Sequence, residues 1–401
     1  MPIVKLMVRE AQLRRRVRAH LKKLGFGRDP NGDLVPPRLD KVGYRELHAP
    51  QRTERLAEEA KFLKGQQADL ITHFASGSEV NVQSMRIRVE LIDHSSWQSD
   101  LFRFATLLWS IPVSKGFGRR MRFLVWDDHT EKLVGVFALG DPVFNLGARD
   151  RLIGWTAKDR GSRLVHMLDG YVIGAVPPYN KILGGKLIAS LMRTQDVVAA
   201  FRARYGSTEG IISGSSKNAH LVAITTTSAL GRSAIYNRLR LDGISYLESI
   251  GFTGGYGHFH FPRALFDEMR DYLKYRKDPY ANNHQYGDGP NWRLRSIRRV
   301  LHLLGMNPDL LKHGLAREVF VSHLADNAID VLSGRRKRPK YGSLLTAANV
   351  AQLAISRWML PRSLRDESYR QVTREQILTQ ITGVAPQRAS GKDPAIAQRN
   401  R

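Results

Sequence analysis

Residues 122–139 read RFLVWDDHTEKLVGVFAL. Two apolar runs, 122–126 and 133–139, flank the short polar joint DDHTEK at 127–132. A joint that short predicts an antiparallel hairpin. Just upstream, MRIRVELI (85–92) alternates apolar and polar residues, as a half-buried strand does. Downstream, 152–155, 171–176 and 221–225 are further short apolar runs. Between the last two, 180–205 carries a helical pattern whose buried face would hold Ile182, Leu183, Leu187, Leu191 and Val198. Strands interleaved with helices, together with one hairpin, predict an α/β (α+β) fold around a central mixed sheet.

Helical regions flank that sheet. Leu13, Val17, Leu21 and Leu24 line one face of a helix, and Gly25 suits its C-cap. Arg14, Arg15, Arg16, Arg18, Lys22 and Lys23 occupy its other faces. Residues 31–50, with DLVPPRLD, read as an extended linker. A second helix fits 54–64, with Leu56, Ala60 and Leu63 on one side. After Pro262 the strand pattern stops, and 264–276, 291–304, 308–333 and 343–359 read as helices. The expected organisation is a basic helical N-terminal region (1–80), a central α/β domain (85–262), a basic helical C-terminal region (263–380) and a flexible tail (381–401).

The chain has 401 residues, 42% of them hydrophobic, enough for two or three packed units. It has 63 Lys and Arg against 37 Asp and Glu, a net charge of +26. A surplus of that size costs self-repulsion and points to a polyanionic partner. Residues 1–45 hold 12 Lys/Arg against 4 Asp/Glu, and residues 291–340 hold 11 against 4. The second block contains GRRKRPK (334–340), with Arg335, Arg336, Lys337, Arg338 and Lys340. Guanidinium groups bind phosphate bidentately, so the two clusters favour nucleic acid, DNA ahead of RNA. A solvated helix face and a bare loop are the plain alternative. The absence of cysteine excludes disulfides, Cys-ligated zinc and thiol nucleophiles. No apolar run reaches the ~18 residues of a membrane span, so a cytoplasmic protein without membrane contact is expected.

Four loops gather the residues that chemistry needs. In VPPYNKILGGKLIASL (176–191) a strand ends at a double proline and a helix begins. Tyr179, Asn180 and Lys186 sit at that turn, where free N–H groups favour an anion. The Walker spacing is missing, and a tight packed turn is the alternative. In ITTTSALGRSAIYNRLR (224–240), Thr226, Ser228, Gly231 and Ser233 lead into a helix bearing Tyr236 and Asn237. These hydroxyls form a pocket floor, cap the helix, or both. In IGFTGGYGHFHF (250–261), Thr253 and three glycines precede His258 and His260, which share a face if the segment is a strand. Two histidines without a third ligand are a weak metal signal, and no metal is expected. In ALGDPVFNLGARDRLIGW (138–155), Arg149, Asp150 and Trp155 face the same pocket or simply hold the loop. There is no GxSxG elbow.

Five segments carry a family resemblance: WSIPVSKGFGRR (109–120), GDPVFNLGARDRLIGW (140–155), GAVPPYNKILGGKL (174–187), TTTSALGRSAIYNRLR (225–240) and GFTGGYGHFHF (251–261). In this order they are similar to the DruA family of bacterial Druantia anti-phage defence systems. The resemblance implies a defence role beside other Druantia proteins, including a helicase-like component. It settles no reaction. Among the residues recurring in its motifs are Arg149, Asp150, Trp155, Tyr179, Asn180, Lys186, Thr226, Gly231, Ser233, Tyr236, Asn237, Gly251 and Thr253. A second likeness concerns the fold. The helix start at 179–187 and YLESIGF (246–252) resemble a GNAT-like acyltransferase core, in which backbone N–H groups hold a cofactor pyrophosphate. The Arg-x-x-Gly-x-Gly pattern usual there is absent, and the cofactor is unknown. The leading expectation is a defence component that binds nucleic acid. The alternatives are a nucleic-acid- or nucleobase-modifying enzyme, with Tyr179, Asn180, Lys186, Tyr236, Asn237 and His258 as catalytic candidates, and a scaffold for other defence proteins.

Overall fold

The structure, a computed structural model, describes residues 2–32, 34, 35, 37, 40–93, 96–113, 118–209, 216–282 and 290–383. Of the expected tail (381–401), residues 381 and 382 belong to helix Arg374–Thr382, where Ile381 is buried; residues from 384 onward, like 114–117 of the first recurring segment, lie outside the described residues. Seven strands form the central sheet: β1 (Ile87–Leu91), β2 (Arg120–Asp127), β3 (Lys132–Gly140), β4 (Met167–Ala175), β5 (Ala223–Thr227), β6 (Glu248–Phe252) and β7 (Glu318–His323). Their order is β6-β7-β5-β4-β3-β2-β1. Only the β4–β5 pair is parallel. A parallel neighbour needs a long crossover, and helices Gly184–Leu191 and Gln195–Tyr205 supply it.

The predicted hairpin is β2–β3, with Trp126 opposite Leu133 and Asp127 opposite Lys132. Asp127 closes it. Its buried carboxylate accepts from the backbone of Arg86 (3.0 Å) and His129 (3.1 Å) and from the Thr130 hydroxyl (3.1 Å). A short polar side chain that satisfies its own turn is why Asp is favoured there.

Alternation along the strands builds two core layers. Leu168, Val172, Ile224 and Phe320 join the main core beneath helix Gly184–Leu191. Met167, Ala223 and Val321 face the other side, against Trp155, Ala328 and Val331. A separate core gathers Leu13, Val17 and Leu21 of helix Pro2–Lys23 with Leu265, Met269 and Leu273 of helix Arg263–Tyr275 and with Ile297, Val300 and Leu301 of helix Pro290–Leu303. The predicted face of the first helix is therefore the buried one, and Gly25 ends that helix at φ 79°.

Several expected elements differ. The predicted linker at 31–50 gives way to helix Lys41–Leu70, which contains the expected 54–64 helix. Asp40 starts it by accepting from the N–H groups of Val42 (3.0 Å) and Gly43 (2.9 Å). Pro50 lies in its interior rather than ending it. Ala60 is exposed there and Glu59 is buried, because Arg55 and Arg103 both reach the Glu59 carboxylate. The run 152–155 is not a strand. It closes helix Gly147–Ile153, with Gly154 at φ 82° as the left-handed cap. The pattern at 180–205 divides into a 3-10 turn (Tyr179–Ile182) and two helices.

The largest correction is at 308–333. EVFVSH forms β7 in the interior of the sheet, buried along nearly its whole length, so strands continue past Pro262. A strand paired on both edges and covered on both faces carries no alternation to separate it from a buried helix. The expected helix at 343–359 is Ala347–Ala354, followed by a widened π turn, Ile355–Met359.

Candidate nucleic-acid interface

Helix Pro2–Lys23 buries Leu13, Val17 and Leu21 and leaves Arg15, Arg16, Arg18, Lys22 and Lys23 exposed, with Arg14 partly so. Arg16 pairs with Glu268. The other five make no ion pair to a carboxylate among the described residues. An open cavity of about 580 Å³ lies between this helix and Arg263–Tyr275, with Arg9, Arg15, Arg16, Glu268 and Asp271 in its wall.

The second cluster sits on a braced loop. Gly334, at φ 81°, ends helix Ala328–Ser333. The Arg336 N–H donates to Asp330 O (3.0 Å) and the Asp326 N–H to Lys340 O (2.7 Å). Asn327 Nδ2 donates to Arg338 O (3.0 Å), while Asn327 Oδ1 accepts from the Lys340 N–H (2.8 Å). Arg335, Arg336, Lys337, Arg338 and Lys340 are all exposed, and of these only Arg335 pairs with a carboxylate, that of Asp330, among the described residues.

The two clusters join the chain on either side of β7. His20 on the first helix donates through Nε2 to His260 O (2.8 Å), and His260 Nε2 reaches Leu310 O (2.8 Å), in the segment that leads into Glu318. The basic loop follows His323. At about 3.3 Å per residue the strand alone spans ~20 Å.

The pocket candidates separate into four sets. The first is a clamp on loop 141–146. Arg149, fully buried, donates to Asp150 Oδ1 from Nε (2.9 Å) and Nη2 (2.7 Å) and to the carbonyls of Val143 (2.8 Å) and Phe144 (2.9 Å). Arg160 completes Asp150 at 2.8 Å. Trp155 lies with its ring centroid 5.3 Å from the Arg149 guanidinium and donates Nε1–H to Leu332 O (2.7 Å). Beneath the loop, Asp169 accepts from the Thr225 hydroxyl and the Val143 N–H (3.3 Å), and burial pushes its carboxyl up.

The second set centres on Glu318, which sequence reading missed. Its carboxylate is 3% exposed and accepts from Ser233 N (3.1 Å), Asn237 Nδ2 (2.9 Å) and Ser249 Oγ (2.9 Å). The segment expected to be a helix after Ser233 is only the 3-10 turn Tyr236–Arg238, and Ser233 Oγ caps it by accepting the Tyr236 N–H (3.2 Å). Gly231, at φ 75°, accepts the Glu318 N–H (3.2 Å), and Ser228 donates its N–H to Glu318 O (2.8 Å). Thr226 Oγ1 donates to Gly170 O (2.7 Å) and Thr253 Oγ1 accepts from Arg317 N (3.0 Å). Tyr236 packs edge-on to Phe320, and burial pushes its hydroxyl up to about 12. Glu318→Ala is expected to cost about 1–3 kcal/mol, read from the urea midpoint, because the Ser233 N–H and the Asn237 amide lose their buried acceptor.

The third set holds Tyr179, Asn180 and Lys186, which do not converge. Tyr179 is fully buried near Thr130 and Asp127 at the hairpin tip, with its hydroxyl pushed up by burial. Asn180 is exposed. Lys186 lies partly buried over the Trp358 ring at 4.7 Å, with Nζ 3.4 Å from Arg238 O. Burial first, then Arg238 and Arg357, pushes its ammonium down.

The fourth set is histidine-rich and belongs to the helical core. Residues 258–261 form a turn, closed by the Phe261 N–H on His258 O (3.0 Å), and not a strand. His260 lies 5.6 Å from both Phe26 and His313, and His48 lies 4.6 Å from Phe259 (ring centroids). Burial, aided by Arg293 and His260, pushes His258 down to about 3. Burial is also the main cause that holds His48 and His260 at about 4 and His313 at about 3. Among the described residues no group of three or more His, Asp or Glu is placed to hold a metal. His48, His313 and Glu318 carry no sequence signal, since each gains its role from partners far along the chain.

The family model described as Druantia protein DruA matches residues 38–334. That span contains the clamp, the Glu318 set and Lys186, and it leaves helix Pro2–Lys23 and residues 335–340 outside. A Druantia protein DruA of Escherichia coli (strain UMEA 4076-1) is 52% identical over 368 residues, which is 92% of this chain and 91% of that protein. No solved structure matches.

Proposed function

This chain belongs to the Druantia protein DruA family, and from that premise we propose that it serves anti-phage defence by gripping nucleic acid through two basic surfaces. The observation that carries the reading is the loop at 334–340. Its backbone is held by Asp326, Asn327 and Asp330, so the positions from which its five cations project are set before any ligand arrives. A loop whose backbone is already ordered loses less freedom on meeting phosphate. Helix Pro2–Lys23 supplies the second grip. Phosphates carry no base identity, so binding is expected to be blind to sequence. DNA is the preferred strand in this reading, the cytoplasm the place, and other Druantia proteins, a helicase-like one among them, the partners. No helix among the described residues is long and apolar enough to cross a membrane.

Fluorescence anisotropy with labelled duplexes, single strands and RNA across a salt series tests this. The intact chain is expected to bind at about 50 mM salt and to lose affinity linearly in log–log form. Replacing Arg335, Arg336, Lys337 and Arg338 together by Gln should flatten the slope by about 3.6, since each phosphate left without its cation removes about 0.9. Absence of binding at low salt, or an unchanged slope, overturns the reading.

A further inference from the structure

Two buried guanidinium groups elsewhere meet compensation: Arg149 meets Asp150 and two carbonyls, and Arg193 meets His323 O and Ser343. At the start of helix Gly184–Leu191, Lys186 has the Arg238 carbonyl (3.4 Å) and an aromatic ring beside it but no carboxylate, and two further cations lie near it. Lys186, partly buried, sits over Trp358, and the charges of Arg238 and Arg357 act on its ammonium. Among the described residues none of the three pairs with a carboxylate. Like charges beside a low-dielectric ring repel one another, and a bound anion would relieve that repulsion.

Two further features shape the place. Gly185, in the first turn of the helix, has open space where a Cβ would stand, so a group can come close to the backbone there. Arg357 and Trp358 lie on the π turn Ile355–Met359, and such widened turns recur at functional sites. Arg238 and Arg357 are both exposed, so their guanidinium groups are open to a ligand.

We propose that Lys186, Arg238 and Arg357 form a binding site for a phosphoryl group, separate from the two basic surfaces described above. Three cations suit the two to three negative charges of a terminal phosphate or pyrophosphate, and also one phosphodiester of a strand. The chemistry is the same in either source. The site does not rest on the nucleic-acid reading, since a soluble nucleotide also fills it.

The test uses the full chain and two exposed-residue changes, Arg238→Gln with Arg357→Gln, which leave the packed lysine in place. Pyrophosphate and ATP are titrated by calorimetry, and a labelled duplex by anisotropy. The site is supported if the double variant loses at least tenfold in pyrophosphate and ATP affinity with duplex binding intact, which identifies a nucleotide ligand. It is equally supported if duplex affinity falls tenfold and the salt slope flattens by about 2, which identifies a strand. Lys186→Gln should act in the same direction, and the four-fold loop change at 335–338 should leave pyrophosphate binding unchanged. The inference is overturned if the intact chain binds none of the three probes. It is equally overturned if the double variant binds all of them as the intact chain does. Pyrophosphate binding lost in the double variant, in a chain that never binds DNA, upholds this site and removes only the nucleic-acid reading.

Discussion

Arg149→Met is expected to destabilise the protein by about 3 kcal/mol or more, without direct effect on any ligand. The guanidinium is wholly buried and donates to one carboxylate and two carbonyls at once. Removing one partner of a buried ion pair costs about 3–5 kcal/mol, because the remaining charge stays desolvated. Here Asp150 keeps Arg160 at 2.8 Å, which holds the loss to the lower part of that range. The carbonyls of Val143 and Phe144 also lose their donors. Arg149→Lys retains the charge but not the planar fork, and should recover only part of the loss. Chemical denaturation followed by circular dichroism measures both. A loss below ~1 kcal/mol for Arg149→Met would show that loop 141–146 is held by other means. The side chain read from sequence as a pocket residue is thus assigned to positioning the loop.

Acid sensitivity is the second large effect. His48, His260 and His313 are held at about 4, 4 and 3, chiefly by burial, with Arg317, His20 and other imidazoles adding to it. Their ordinary value is 6.5, so the unfolded chain takes up protons that the folded chain refuses. Stability from this source is complete above about pH 6.5 and is lost as pH falls toward about 4. Each unit of difference is worth about 1.4 kcal/mol, and several buried imidazoles act together. A loss on the order of several kcal/mol is expected between about pH 7 and 4.5. Asp169, whose carboxyl is pushed up by burial, works in the opposite sense but is one group against several. Urea midpoints measured at half-unit steps read the effect, and His313→Phe should flatten the curve. A midpoint constant from pH 7 to 5 would contradict it.

Much of the frame was legible in the sequence. The hairpin announced itself through two apolar runs and a six-residue polar joint. The first helix showed its buried face through Leu13, Val17 and Leu21. Both basic clusters were visible as counts. The candidate loops stand out in the sequence as polar, unusual segments, yet their residues go to separate places. Arg149 clamps a loop, Asn237 and Ser233 serve Glu318, Tyr179 is buried at the hairpin tip, and the histidines pack among helices.

Periodicity, turn chemistry and charge density are properties of neighbours within a turn or two, and these the string of residues determined unaided. Tertiary structure alone decided that Glu318–His323 lies inside the sheet, and that Lys186 meets Arg238, 52 residues on, and Arg357 beyond it. Burial on two faces erases the local pattern of a strand, and partners brought together by topology leave no mark in the spacing of either.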